Sequence, residues 1–117
     1  MTILVAVTAD DEGVAALEQA LAEALFRDTD VVALNLRPTP LEVSGGARVS
    51  VVDRTFGVED GDAVLEQLEK EADVDLLVIG VRRRSPVGKA LLGDLAQRLL
   101  LEAPVPVLAV KPEFPTT

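Results

Sequence analysis

The chain has 117 residues, 49% of them hydrophobic, and a formal net charge of −9. That length suits one domain, 1–117, with a core of its own, and the negative charge argues against general nucleic-acid binding, which needs a basic face. Because the sequence contains no histidine and no cysteine, it excludes disulfides, thiol catalysis and most general-base and metal-ligand schemes, so we expect no enzyme.

The first third predicts a strand, a helix and a second strand. Residues 2–7 are an unbroken apolar run, typical of a strand buried on both faces. An acidic stretch, residues 10–12, provides a helix start, and leucines with a period of 3.6 predict an amphipathic helix over 11–26. Its apolar stripe consists of Leu17, Leu21 and Leu25, with Val14 and Ala24 alongside. Residues 31–36 form the second strand, so the sheet is parallel with a right-handed crossover.

The middle of the chain predicts a loop, a third strand and a second helix. Residues 37–48 contain two prolines and two glycines, which favour a loop. Residues 49–55 predict the third strand. Asp60 or Asp62 can cap the helix that follows. The predicted inner face of that helix consists of Val64, Leu65, Leu68 and Ala72.

A basic segment, residues 82–89, follows the short buried strand predicted over 76–79. It holds four of the eleven Lys+Arg residues: Arg82, Arg83, Arg84 and Lys89. No acidic residue occurs between Asp75 and Asp94. Guanidinium groups form paired hydrogen bonds to phosphate, and helix N-termini attract anions. The segment therefore predicts an anion site, with a solvated basic turn as the alternative.

The C-terminal part predicts a helix and a last strand. Asp94 and Gln97 make a D-x-x-Q pattern, which favours Asp94 as the N-cap of the helix. The helix has an apolar face of Leu95, Leu99 and Ala103, with Ala96 and Leu100 beside it. Residues 105–110 predict the last strand. Because Pro104 and Pro106 cannot donate ladder hydrogen bonds, this strand is expected at a sheet edge.

Residues 75–111 resemble the C-terminal part of the universal stress protein family. Adenine-nucleotide-binding members of that family carry Gly, two residues, Gly, nine residues, Gly and then Ser or Thr. This chain has Gly80, two residues, Arg83, nine residues, Gly93 and then Asp94. The outer spacing is kept, whereas the middle glycine and the hydroxyl are replaced.

The resemblance extends to the opening run ILVAVTADDE and so covers most of the chain. It implies an α/β fold, a doubly wound, open five-stranded parallel sheet of order 3-2-1-4-5 with helices on both faces, as in adenine-nucleotide alpha-hydrolase-like proteins. It also implies a non-catalytic, regulatory role in the stress response, with ATP or AMP as the candidate cofactor. Together with the basic segment, it suggests cofactor-binding positions at Thr8, Leu36, Gly80, Arg82, Arg83, Arg84, Ser85, Lys89, Gly93 and Asp94.

Three of these positions depart from the nucleotide-binding members. Arg83 replaces a glycine. Asp94 replaces a hydroxyl that can donate to a phosphate oxygen, and a carboxylate repels the phosphate instead. Thr8 stands where the family usually has an acidic residue near the adenosine. By the same analogy, the backbone of residues 34–36 borders the base.

The family forms dimers through its last strand, so the resemblance also implies a homodimer. The residues expected at that interface are Val105, Val107 and Ala109. The alternative is that Pro104 and Pro106 protect the edge and keep the protein monomeric. We favour the dimer, because an exposed Val-Leu-Ala-Val edge in a monomer invites pairing with another chain.

Two other functions remain open at this point. One is a homodimeric interaction module, with an unknown protein partner, that needs no nucleotide. The other is a phosphoacceptor receiver domain, in which Asp10 and Asp11 hold Mg²⁺, Asp53 accepts the phosphoryl group and Lys111-Pro112 follows the fifth strand. The receiver interpretation lacks a helix between the second and third strands, a helix after the fifth, and a hydroxyl after the fourth.

We expect a cytoplasmic protein. The first strand begins directly after Met1, which predicts no signal peptide. No apolar run approaches the roughly 20 residues needed to span a bilayer.

Overall fold

A computed structural model of the chain describes residues 1–44, 46–71, 73–81 and 93–112. The strands are β1 (Thr2–Val7), β2 (Asp30–Asn35), β3 (Val49–Asp53), β4 (Val74–Gly80) and β5 (Val107–Val110). The helices are α1 (Asp11–Arg27), α2 (Asp60–Lys70) and α3 (Asp94–Glu102), with a 3₁₀ turn, Gly46–Arg48, before β3. The basic segment, residues 82–89, lies outside the described residues.

The five strands form one sheet of order β3-β2-β1-β4-β5, in which every neighbouring pair is parallel. This confirms the predicted fold class and strand order. The central strands are buried on both faces, as their apolar runs predict. In β1, Leu4 and Ala6 face one core, while Ile3, Val5 and Val7 face the other.

Helices cover both faces of the sheet. The core on one face contains α1, and the core on the other contains α2 and α3. Arg98 of α3 donates from Nη2 to Asp62 of α2 at 2.6 Å, which ties these two helices together. Alternation of strands with helices therefore produces a three-layer arrangement, with the carboxyl ends of all strands at one edge of the sheet.

The buried face of α1 differs from the predicted leucine stripe. Ala16, Ala20 and Ala24 are buried, whereas the side chain of Leu25 is 87% exposed. Leu17 and Leu21 are only partly buried at the flank of the core. Small side chains allow the helix axis to approach the sheet closely, so the alanines take the central positions.

Both predicted helix caps are wrong. The N-cap of α2 is Glu59, and the carboxylate of Asp62 is bound by Arg98 instead. The N-cap of α3 is Gly93, with Asp94 as the first helical residue. The N-caps lie one residue before Asp60 and one residue before Asp94, and neither N-cap is satisfied by a side-chain hydrogen bond.

Several boundaries of helices and strands also differ from the predicted ones. The described part of α2 ends at Lys70, and Ala72 lies outside the described residues. β3 ends at Asp53, two residues before the predicted end. β5 begins at Val107, after both prolines, and lies at the sheet edge as predicted. No helix in the described part of the chain is long and apolar enough to cross a membrane.

Candidate functional site

A cavity of about 320 Å³ lies at the carboxyl edge of the sheet, between the ends of β1 and β4 and the start of α3. In open α/β sheets this edge is where ligands bind. We call it the α3 cavity. Five of the ten predicted positions line it: Thr8, Leu36, Gly80, Gly93 and Asp94. The other five, Arg82, Arg83, Arg84, Ser85 and Lys89, lie outside the described residues.

Thr8 contacts the carboxylate of Asp10, the residue that begins α1 as its N-cap. The Thr8 hydroxyl donates to Oδ1 of Asp10 at 2.5 Å. The same oxygen caps α1 by accepting from the N–H of Gly13 at 3.1 Å. Thus an acidic group stands beside Thr8 in this cavity, although position 8 itself is not acidic.

Two opposing effects set the pKa of Asp10. Its partial burial raises the pKa, but the hydrogen bonds from Thr8 and Gly13 stabilise the carboxylate and outweigh that effect. The net pKa of Asp10 lies below its ordinary value. Asp10 is therefore a carboxylate at neutral pH and a fixed negative charge at the rim of the cavity.

Gly80 allows α1 to pack against the end of β4. A Cβ atom at Gly80 would lie 2.5 Å from the carbonyl carbon of Glu12, and closer still to its carbonyl oxygen. Gly13 has the same role at the end of β1, where a Cβ would lie 2.6 Å from the backbone nitrogen of Thr8. Because these glycines lack a side chain, the first turn of α1 can contact the ends of two strands. The fold itself therefore requires a glycine at position 80.

The described residues give no comparable reason for Gly93. Its φ of −64° suits any residue, and an added Cβ would meet no atom of the described structure within 4 Å. Because the N-cap is a glycine, it has no side chain that could accept from the first N–H groups of α3. The first hydrogen bond of the helix runs from the Gln97 N–H to the Gly93 carbonyl at 3.0 Å. The N–H groups of residues 94–96 precede that bond and lack helical partners. They belong to residues that line the cavity.

The described wall of the α3 cavity is acidic. Its charged members are Asp10, Glu12, Asp60 and Asp94. Asp60 forms an ion pair with Arg54, which offsets its charge. Sequence reasoning missed Glu12 and Asp60 as wall residues, because they come from different helices and nothing in their local pattern marks a shared site. An anion in this cavity therefore needs positive charge from elsewhere.

Asp94 reaches the cavity from the first turn of α3. The side chain is exposed, and its negative charge is favourable next to the helix N-terminus. The same position places it next to the N–H groups that could bind a phosphate. A carboxylate at this position is expected to repel a phosphate at those N–H groups.

The comparisons with known proteins agree on one family. Residues 41–111 match the sequence model of the Universal stress protein family. A universal stress protein of Mycolicibacterium smegmatis is 39% identical over 127 residues, which cover 94% of this chain and 97% of that protein. The chain belongs to the universal stress protein family.

Solved structures of universal stress proteins share this fold. One from Archaeoglobus fulgidus is 27% identical, with a TM-score of 0.74, and the match covers 95% of this chain and 98% of that one. A universal stress protein from the same organism in complex with dAMP is 23% identical, with a TM-score of 0.67 and the same coverage. These neighbours confirm the adenine-nucleotide alpha-hydrolase-like fold for this universal stress protein.

Two aspartates that a phosphoacceptor receiver domain would use have other hydrogen-bond partners in this universal stress protein. Asp10 caps α1, and Asp53 accepts from Nδ2 of Asn35 at 3.0 Å. Among the residues that the structure describes, no group of three acidic side chains could hold a metal ion. The family match favours a universal stress protein over a receiver domain.

Proposed function

We propose that this universal stress protein is a non-catalytic regulatory module that binds an adenine nucleotide, ATP or AMP, in the α3 cavity. The observation that carries the proposal is Gly93, a glycine that the described fold does not require, at an uncapped helix N-terminus facing a cavity. The relative in complex with dAMP supports an adenine nucleotide as the ligand class. Without histidine or cysteine, catalysis would depend on carboxylates or lysines, which supports a binding role.

The nucleotide would use two walls of the cavity. The phosphate would accept hydrogen bonds from the N–H groups of residues 94–96, and the base would lie near Leu36 and Thr8. The Leu36 N–H already donates to Val7 at 3.0 Å, so this backbone is held in place before a ligand binds. We further propose that the basic segment, Arg82, Arg83, Arg84, Ser85 and Lys89, supplies the positive charge that the described wall lacks.

The acidic wall determines which nucleotide should bind best. Each added phosphate increases repulsion from Asp10, Glu12 and Asp94. We therefore expect AMP to bind more tightly than free ATP, and Mg²⁺ to reduce the difference by neutralising the extra charge. Isothermal titration of the purified protein with AMP, ATP and Mg-ATP, at low and at physiological salt, measures this directly.

A dissociation constant in the micromolar range, with one site per chain, would support the proposal. The affinity should fall as salt rises, because screening weakens the contribution of the basic segment. The absence of heat with all three ligands up to millimolar concentration, from a folded protein, would contradict it and favour a module that needs no nucleotide.

One observation favours a second function, a homodimeric interaction module that pairs through β5. The carbonyl oxygens of Pro106 and Val110 accept from the N–H groups of Leu77 in β4 and of Val81 just after it, at 3.0 and 2.8 Å. Because alternate residues of a parallel strand face opposite neighbours, Val107 and Ala109 direct their N–H and C=O groups to the free edge. The prolines therefore leave that edge unprotected. Ala109 is exposed, while Val105 and Val107 are half-buried against the core.

Ala109→Pro tests the dimer with little effect on the fold. The Ala109 N–H faces away from β4, so its loss removes no ladder bond within the chain, and proline is tolerated at such an edge position. We expect a wild-type dimer and an A109P monomer in sedimentation equilibrium. The matched control is Val51→Pro on β3, the other edge strand. The Arg54 N–H donates to Asn35 of β2. Because alternate residues of a strand face opposite sides, the Val51 N–H points to the free edge. Dissociation by V51P and not by A109P would assign the dimer to β3 instead.

A further inference from the structure

A second cleft, of about 640 Å³, lies at the carboxyl ends of β2 and β3. We call it the Arg37 cleft. It adjoins the α3 cavity, because Leu36 lines the one and Arg37 the other. Its volume is within the range of small-molecule sites, about 300–1,000 Å³. The predictions for the α3 cavity do not involve it.

Arg37 is the charged group of this cleft that is available to a ligand. Its Nη2 donates to the Thr39 hydroxyl at 3.1 Å, and it forms no ion pair with any residue that the structure describes. Every other arginine in the described part of the chain is paired with a carboxylate: Arg27, Arg48, Arg54 and Arg98. With five N–H donors, Arg37 keeps enough free to bind an anionic group through two parallel hydrogen bonds.

Phe56 presents an aromatic surface to the same cleft. Its side chain is 100% exposed and packs into neither core cluster. The turn that holds it continues through Gly57, whose φ of 84° favours glycine. The sequence has only three phenylalanines and no tryptophan or tyrosine. One of the few aromatic rings of the protein is therefore exposed to water instead of contributing to the core. A ligand ring that stacks on Phe56 would remove it from water.

A buried amide fixes the backbone between these two side chains. Asn35 is only 4% exposed, and its Nδ2 donates to the Thr39 carbonyl at 2.9 Å and to Asp53 at 3.0 Å. Its Oδ1 accepts from the Arg37 N–H at 3.0 Å. The loop that carries Arg37 is thus tied to the ends of β2 and β3, so the cleft exists before a ligand arrives. Asp53 is the acidic member of the cleft, and its Oδ1 is already occupied by Asn35.

We propose that the Arg37 cleft is a second ligand site, which binds a small aromatic anion: a planar ring that carries a phosphate or carboxylate. The guanidinium of Arg37 binds the anionic group, the ring stacks on Phe56, and Pro38 and Val58 form the apolar part of the wall. This site does not require that a nucleotide bind in the α3 cavity. It would let the universal stress protein bind a small molecule at the ends of β2 and β3, next to the α3 cavity.

Phenyl phosphate is the probe, because it has the ring and the anion and lacks ribose and adenine. In ¹⁵N NMR titrations of the full chain, we expect shifts at the amides of Arg37, Thr39, Phe56 and Gly57 that saturate in the millimolar range. Arg37→Gln should weaken binding about tenfold, since it removes a charged hydrogen-bond donor. Phe56→Ala should weaken it about fivefold through lost stacking.

Two variants control for general effects of charge and hydrophobicity. Lys70→Gln removes one positive charge from an exposed site outside the cleft, and Phe26→Ala removes an equally exposed ring from the C-terminal end of α1. Both should leave the affinity unchanged. Shifts confined to residues 93–96, equal effects of the control variants, or no shifts in the millimolar range would each overturn the proposal. A failure of AMP to bind the α3 cavity would not affect it.

Discussion

Replacing Gly80 by alanine is expected to destabilise the protein by about 3 kcal/mol or more. The new Cβ would lie within 2.6 Å of three atoms of Glu12, two of them backbone. Backbone atoms cannot move aside as a flexible side chain does, so either the first turn of α1 or the end of β4 must shift. Because a domain of this size is stable by only about 5–15 kcal/mol, the loss is a large fraction of the total.

Urea denaturation at pH 7 measures this loss, and Gly93→Ala is the matched control. Both positions line the α3 cavity, but a Cβ at Gly93 meets nothing within 4 Å in the described structure. G93A should unfold within about 1 kcal/mol of the wild type, since its main cost is that alanine is a poorer N-cap than glycine. Equal stabilities of G80A and wild type would refute the close approach of α1 to β4.

Gly93→Asp is expected to weaken AMP binding by about 100-fold or more, since a like charge next to a bound phosphate costs several kcal/mol. The reason is specific to this position, where the side chain would enter the space in front of the α3 N-terminus. Aspartate is also a good N-cap, so the helix itself should become slightly more stable. A loss of binding with unchanged or increased stability therefore separates a damaged site from a damaged fold.

Removing the negative charge of Asp94 should tighten AMP binding. Asp94→Ser removes one carboxylate from the cavity wall and restores a hydroxyl, and we expect about tenfold tighter AMP binding. Asp94→Asn distinguishes the two causes, because it removes the charge without adding a hydroxyl. Isothermal titration of the three variants with AMP is the measurement. If none of these changes alters the affinity, the nucleotide binds elsewhere or the proposed function is wrong.

Much of the α3 cavity could be predicted because it follows from chain direction. Thr8, Leu36 and Gly80 each end or follow a parallel strand, and such ends meet at one edge of the sheet. Gly93 was identifiable from the spacing that this chain shares with the family. In contrast, the Arg37 cleft has no sequence signature. Arg37 and Phe56 are ordinary loop residues until Asn35 ties the loop to the strand ends.

Three features could be predicted from the sequence without the structure: the alternation of strands and helices, the parallel sheet and the two-sided burial of its centre. Those features depend on hydrophobic period and chain order, which are local. Three features became visible only in the tertiary structure. Alanines of α1, and not its leucines, pack at the centre of the sheet. Gly80 is required by close backbone packing, whereas the described residues do not require Gly93. The described part of the cavity wall is acidic. These features depend on how closely backbones approach and on which charges meet from separate elements, and neither is recorded in any local pattern.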